Sequence, residues 1–206
     1  MTTPDAVARA RPIELVVFDV DGVLTDGKLW AIPTGGDDRS SETVAEIKGF
    51  SAHDGIGFGL ARRAGLKVGV ITKRSSQAVA RRMRDLRVDY VYQGVDRKFE
   101  ALREIWASSG CGEVQTCCMG DDIVDLPMIN RSGLAAAPAN ARPELLKAAH
   151  FVAAHAGGDG AARDLIEFIL KSKGIWDRVL RQYLAAPDSD YAAAAVGVAA
   201  AEEIQQ

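Results

Sequence analysis

Apolar runs of strand length alternate along this chain with stretches whose apolar positions recur at helical spacing. The run IELVVF predicts a buried strand, KVGVIT, DYVYQ, QTCCMG and GLAAAP predict further strands, and HFVAAH predicts a sixth at a sheet edge. Between them GIGFGLARRAG, SQAVARRMRDLR, KFEALREIWASSG and DIVDLPMINRSG carry the helical period, and GAARDLIEFILKSKG follows the last strand. Strands alternating with helices need crossover connections. The expected fold is therefore α/β, a Rossmann-like three-layer α/β/α arrangement around a central parallel sheet. One region breaks the rhythm. KLWAIP and TVAEIKGF are strand-like pieces joined by the turn-rich TGGDDRSSE, which predicts a β-hairpin insertion after the first strand, over residues 28–50.

With 206 residues the chain suits one domain, placed at 13–172, with a helix and tail over 173–206. IWDRVLRQYL reads as a short amphipathic helix, and the alanine-rich stretch beyond Pro187 has no clear core face. The first twelve residues, MTTPDAVARARP, lack the apolar core of a signal peptide and read as a disordered arm. A composition of 48% hydrophobic and 26% charged residues is that of a soluble globular protein. The net charge of −3 gives no reason to expect nucleic acid or an anionic membrane as partner. No apolar run reaches the roughly 18 residues of a membrane span. Cys111, Cys117 and Cys118 are odd in number, and adjacent Cys117 and Cys118 would point to opposite sides of a strand. Reduced thiols and a cytoplasmic location are the expectation.

The polar residues at the strand ends carry the chemistry. Asp19 and Asp21 follow the first strand, Thr72 ends KVGVIT, Lys98 opens KFEALREIW, and Gly120, Asp121, Asp122 and Asp125 follow QTCCMG. Ligands of an open parallel sheet gather beyond the carboxyl ends of its strands, so these groups converge. Singly, each has a plainer reading: a solvated turn for Asp19 and Asp21, a solvated helix residue for Lys98, a helix start for Thr72. Together they suit phosphoryl transfer through an aspartyl-phosphate. A strand-end carboxylate attacks phosphorus, and a carboxyl two residues later protonates the leaving oxygen and then activates water. A lysine and a threonine bind phosphate oxygens, and magnesium, which prefers oxygen ligands, makes the clustered aspartates tolerable.

Asp19-Val20-Asp21-Gly22, Thr72, Lys98 and Gly120-Asp121-Asp122 with Asp125 resemble, in order, the four motifs of the haloacid dehalogenase superfamily. The resemblance implies that Asp19 is the nucleophile, Asp21 the general acid and base, and Thr72 and Lys98 the phosphate ligands. It places Mg2+ on the Asp19 carboxylate, the Asp21 backbone carbonyl and the Asp121 carboxylate. Asp122 and Asp125 suit either surface capping or a place behind these groups, orienting Lys98 or the water around the metal. The acid at Asp21 favours phosphatase or phosphomutase over dehalogenase chemistry. Asp19 and Thr72 are 53 positions apart and Thr72 and Lys98 are 26 apart, which leaves no room for a cap domain. A phosphomutase, which needs a lid, is disfavoured.

From about Ile13 to Leu170 the chain resembles the capless 3-deoxy-D-manno-octulosonate 8-phosphate phosphatases, through DVDGVLTDG, IKGFSAHDGIGF, YQGVDRKFEAL, GDDIVDLPMI and AGGDGAARDLIEFIL. It is also similar to the phosphatase-like domains of some sialic-acid activating enzymes. The resemblance implies hydrolysis of a sugar-acid phosphate by a homotetramer whose neighbouring subunits, through hairpins and C-terminal segments, complete an open site. Two rivals accompany this reading: a phosphatase for a nine-carbon, sialic-type acid 9-phosphate, and a catalytically idle oligomerising homologue, against which the intact motifs argue. His53 stands where the family commonly has arginine or lysine, and Lys73 where a small residue usually follows the threonine. Lys48, His53, Lys73, Arg74 and Arg163 are candidates to meet the substrate's charges, whereas Arg62 reads as a solvated charge. His150 and His155 read as structural, and the glycine cluster around Gly157 as a turn or an anion cradle. Trp30 and Trp176 read as packing residues, in the subunit or between subunits.

Overall fold

The computed structural model of the protein describes residues 2–34 and 44–185. Its core is a six-stranded parallel sheet made by β1 (Leu15–Phe18), β4 (Lys67–Ile71), β5 (Tyr90–Tyr92), β6 (Thr116–Met119), β7 (Leu134–Ala137) and β8 (Phe151–Val152). The strands lie in the order β5-β4-β1-β6-β7-β8, so β1 is central and the strand from HFVAAH is an edge. Continuous apolar runs are what strands covered on both faces require. Val16 and Phe18 of β1 join one apolar cluster, while Leu15 and Val17 join the other. Cys117 and Cys118 likewise divide between the two faces of β6, and all three cysteines are free thiols.

One face is covered by α2 (Ala52–Arg63), α3 (Gln77–Asp85), α7 (Ala161–Ser172) and α8 (Trp176–Leu184). The other is covered by α4 (Lys98–Ser109), α5 (Leu126–Ile129) and α6 (Pro143–Ala148). The segment DIVDLPMINRSG is split, a 3-10 turn over Ile123–Asp125 running into α5. The α6 turn, PELLKA, was not foreseen: with six residues it is too short to show a helical period.

The amino-terminal arm departs from expectation. Where a disordered arm was expected, the described residues 2–12 include helix α1, Ala6–Ala10. Ala6 and Ala10, four apart, are fully buried in the cluster that holds α7, and the Thr3 N–H donates to the His150 carbonyl at 2.9 Å. Two small side chains on one helix face permit close packing, yet carry too little hydrophobicity to announce a helix.

The insertion after β1 is an antiparallel pair, β2 (Trp30–Pro33) and β3 (Val44–Ile47), with Trp30 opposite Ile47 and Ala31 opposite Glu46. Most of the joining turn, and the tail beyond residue 185, lie outside the described residues. The described parts of the two motif intervals hold this hairpin with α2, and α3 with β5; no cap domain is present in them. No helix among the described residues is long and apolar enough to cross a membrane.

Candidate active site

The register around β1 determines what stands beside Asp19. Phe18 is level with Val70 of β4 and with Met119 of β6. The Asp19 N–H donates to the Met119 carbonyl at 3.0 Å, and the Thr72 N–H to the Tyr92 carbonyl at 2.9 Å. Asp19, Thr72 and Asp121 therefore leave three adjacent strands at nearly the same height. The chain crosses from β1 to β4 on one side and later returns to β6 on the other. That reversal of strand order is where open α/β sheets bind ligands.

Beyond Asp19 the backbone doubles back. The Val20 carbonyl accepts from the N–H groups of Val23, Leu24 and Thr25 at 3.2, 2.9 and 3.0 Å. Gly22 has a φ of +91°, and a Cβ there would fall 2.1 Å from Asp121 Oδ2, so the Asp121 carboxylate occupies the space of the missing side chain. A Cβ on Gly157 would sit 1.8 Å from the Gly22 carbonyl oxygen. Residues 157–160 form a turn that packs closely on the loop after β1.

Lys98, the first residue of α4, reaches Asp19 Oδ1 at 2.8 Å and donates to Asp125 Oδ1 at 2.6 Å. All three side chains are buried. One ammonium thus serves both carboxylates, Asp19 and Asp125. Asp125 Oδ2 accepts the backbone N–H groups of Asp121 and Asp122 at 3.0 and 3.3 Å. Both Asp125 oxygens are thus engaged in fixing Lys98 and the loop after β6. Asp122 instead turns back to cap Ile123 N–H at 2.7 Å.

Burial raises the Asp19 pKa to about 7, helped by the Asp125 charge and opposed by Lys98. Burial, then the charges of Asp125 and Asp122, raise that of Asp121 to about 6. Burial works to lower the Lys98 pKa, but Asp19 and Asp125 outweigh it and hold the ammonium above its usual value. Carboxylate oxygens of Asp19, Asp121 and Asp125 lie within 4.8 Å of one another. Three clustered carboxylates facing one ammonium leave negative charge in excess and fit a hard divalent cation. Since Asp125 is engaged elsewhere, Asp19 and Asp121 are the carboxylates free to hold it.

A second group of charges surrounds Asp21. Its Oδ1 is ion-paired with Lys48, and its Oδ2 lies 3.9 Å from Arg74 Nε. Glu46 of β3 closes the ring, receiving Arg74 Nη2 at 2.9 Å and lying 3.8 Å from Lys48 Nζ. Thr72 is buried, its hydroxyl accepting the Arg74 N–H at 3.4 Å.

A family model for haloacid dehalogenase-like hydrolases matches residues 85–165. The 3-deoxy-D-manno-octulosonate 8-phosphate phosphatase of Escherichia coli K12 is 32% identical over 178 residues, 86% of this chain and 90% of that protein. The chain belongs to that phosphatase family, within the haloacid dehalogenase superfamily. Among solved structures, a probable phosphatase of the yrbI family from Pseudomonas syringae superposes with a TM-score of 0.81 at 36% identity, covering 90% of this chain and all of that one. The 3-deoxy-D-manno-octulosonate 8-phosphate phosphatase of Moraxella catarrhalis, solved with magnesium ion, phosphate ion and the sugar acid, gives 0.78 at 29% identity, with 87% and 98% covered.

In this member of the haloacid dehalogenase superfamily, Asp19, Lys98, Asp121 and Asp125 form one cluster, with Asp21 and Arg74 joined in the adjoining ring. Other candidates lie apart from both. Lys73 is exposed, 3.8 Å from Asp96. His53, on the first turn of α2, shares a groove of about 290 Å3 with His155, Arg163, Asp164 and Glu167, whose lining includes neither Asp19 nor Lys98. Arg163 gives its side chain to Glu167 at 2.6 Å and its backbone N–H to Asp54 at 2.9 Å. Arg62 lines a cavity beside Lys67, at the opposite end of β4 from Thr72. His150 Nδ1 accepts the Ala135 N–H, and His155 pairs with Asp164, which fits structural roles for both. Trp176 packs on the core with the Lys171 ammonium over its ring, whereas Trp30 is exposed on the hairpin. Sequence reasoning missed Glu46 altogether. The available signal was strand alternation, which puts Glu46 and Lys48 on one side of the hairpin.

Proposed function

We propose that this chain is a magnesium-dependent phosphatase that hydrolyses 3-deoxy-D-manno-octulosonate 8-phosphate through an aspartyl-phosphate. The observation that carries the reading is Asp19 at a switch-point strand end, with Lys98 Nζ 2.8 Å away and Asp121 beside it. The family membership supplies the sugar acid. Asp19 attacks phosphorus while Lys98 and the Thr72 hydroxyl hold the phosphoryl oxygens. As the phosphorus–oxygen bond to the sugar breaks, the Asp21 carboxyl gives its proton to the departing oxygen. Asp21, now ionised, takes a proton from a water that attacks the phosphorus, releasing phosphate and restoring the Asp19 carboxylate. The Asp19 and Asp121 carboxylates and the Asp21 backbone carbonyl would hold magnesium, which would supply positive charge to offset that of the nucleophile and the phosphate. Asp125 keeps Lys98 aimed.

The protein is further read as a cytoplasmic homotetramer with neither nucleic acid nor membrane as partner. In support, the hairpin exposes Leu29, Trp30, Ile32 and Ile47 to solvent. His53, Arg74, Lys73 and Arg163 are then candidates to meet the sugar acid within such an assembly. A panel of sugar phosphates tests the substrate: kcat/KM is expected to be highest for the eight-carbon acid 8-phosphate. A preference for a nine-carbon acid 9-phosphate would overturn it. Asp19→Asn is expected to remove turnover, by about 10^3-fold or more, with an unchanged circular dichroism spectrum. Substantial activity in that variant refutes the nucleophile.

A further inference from the structure

The hairpin brings to the site a lysine that neither the nucleophile nor the phosphate position accounts for. Lys48 follows β3 directly, and along a strand residues 46 and 48 point to the same side. Its side chain is 0% exposed. A fully shielded ammonium is uncommon and costly unless it is paired. Here Asp21 Oδ1 is in direct contact and Glu46 Oε1 lies 3.8 Å away. Arg74 spans the same two carboxylates from the end of β4, at 3.9 Å from Asp21 Oδ2 and 2.9 Å from Glu46 Oε2. An ammonium so enclosed does not meet a substrate carboxylate, which was the role its sequence position suggested.

We propose that Lys48 is a positioning residue for the leaving-group step. It clamps Oδ1 of Asp21, so that the partly exposed carboxyl group presents Oδ2 to the departing oxygen. Glu46 fixes Lys48 and Arg74 in turn. A freely rotating carboxyl would rarely align with the bond being broken, and misplacing a catalytic group by about 1 Å costs on the order of 10^2-fold in rate. The hairpin thereby serves the chemistry of its own subunit, whatever assembly its outer face makes. This inference rests on Asp21 being the acid.

The test uses leaving groups that differ in their need for a proton. Three esters are compared by kcat/KM: the sugar-acid phosphate, an alkyl phosphate without a carboxylate, and p-nitrophenyl phosphate, whose phenolate departs unprotonated. Lys48→Met is expected to lose about 10^2-fold on both alkyl esters and under about 5-fold on the aryl ester. Lys48→Arg should recover part of the loss. Glu46→Gln, which leaves the buried lysine in place, should show the same pattern more weakly. Equal losses on all three esters, or a loss confined to the carboxylate-bearing one, would overturn the proposal. Asp21→Asn on the same panel separates the two readings. If that variant spares the aryl ester and Lys48→Met does not, the Lys48 inference alone fails. If Asp21→Asn hits all three equally, the acid assignment falls, and the inference with it.

Discussion

Asp125 ties the Lys98 ammonium to the loop that carries Asp121. It is fully buried, with one oxygen on the Lys98 ammonium and the other on two backbone N–H groups of the loop that carries Asp121. Replacing it by asparagine keeps the volume but puts an amide where two kinds of donor converge. If the amide oxygen faces the backbone, its NH2 faces the ammonium. Removing one partner from a buried charge pair costs about 3 kcal/mol or more. Asp125→Asn is therefore expected to lower urea stability by roughly that amount and kcat by about 10^2-fold. Wild-type values of both would show that Lys98 holds its place unaided. In the sequence Asp125 was a carboxylate four places after Asp121, equally suited to a surface cap. What decides between the two is the 3-10 turn that aims it inward, and no periodicity signals three residues of helix. Asp19, Lys98 and Asp121 were legible because strand ends and a helix start locate them without side-chain geometry.

At the scale of elements, the hairpin has two unlike faces. Directly opposed residues of an antiparallel pair share a face, so Trp30 and Ile47 lie together, and Ile32 joins them two places on. Glu46, opposite Ala31, lies on the other face, toward Arg74 and Asp21. The apolar face is exposed, Trp30 by 61%. Burying each such side chain is worth about 2 kcal/mol, which gives a second copy a reason to cover it. Trp30→Glu is expected to shift the assembly toward smaller species in sedimentation velocity, with the monomer's fold retained. An unchanged sedimentation coefficient would remove the hairpin from the interface. The hairpin itself was readable from its turn residues and β-rich flanks. Which face turns inward was not, because alternation shows which residues share a face but not which face meets the molecule. The same limit explains α1 and α6: where a helix is two or three contacts long, its burial is decided by what it lands on.

At the scale of the whole molecule, parallel topology concentrates acids at one edge, and that concentration links folding to protons and to metal. The Asp19 carboxyl moves from 3.8 in the unfolded chain to about 7 when folded, and Asp121 from the same value to about 6, burial being the larger cause in each. A carboxyl with a raised pKa binds more protons folded than unfolded. Stability without metal should therefore be highest in acid and fall as pH rises through the window from about 4 to about 7. Above that window both groups are ionised against burial and the Asp125 charge, and that unfavourable charge is what a divalent cation relieves. Below it, protons and cation compete for the same oxygens. Melting in chelator should thus give a lower Tm at about pH 8 than at about pH 5, provided the remaining titrating groups are compared through an Asp19→Asn, Asp121→Asn control. Saturating magnesium at about 100 times its Kd should add roughly 2.7 kcal/mol, on the order of 5–10 °C for a chain this size, at the higher pH. The gain should shrink markedly at the lower pH and vanish in the double variant. A magnesium-induced shift that is equal at both pH values would mean that the cation does not bind through Asp19 and Asp121, and the charge balance of the site would have to come from Lys98 alone.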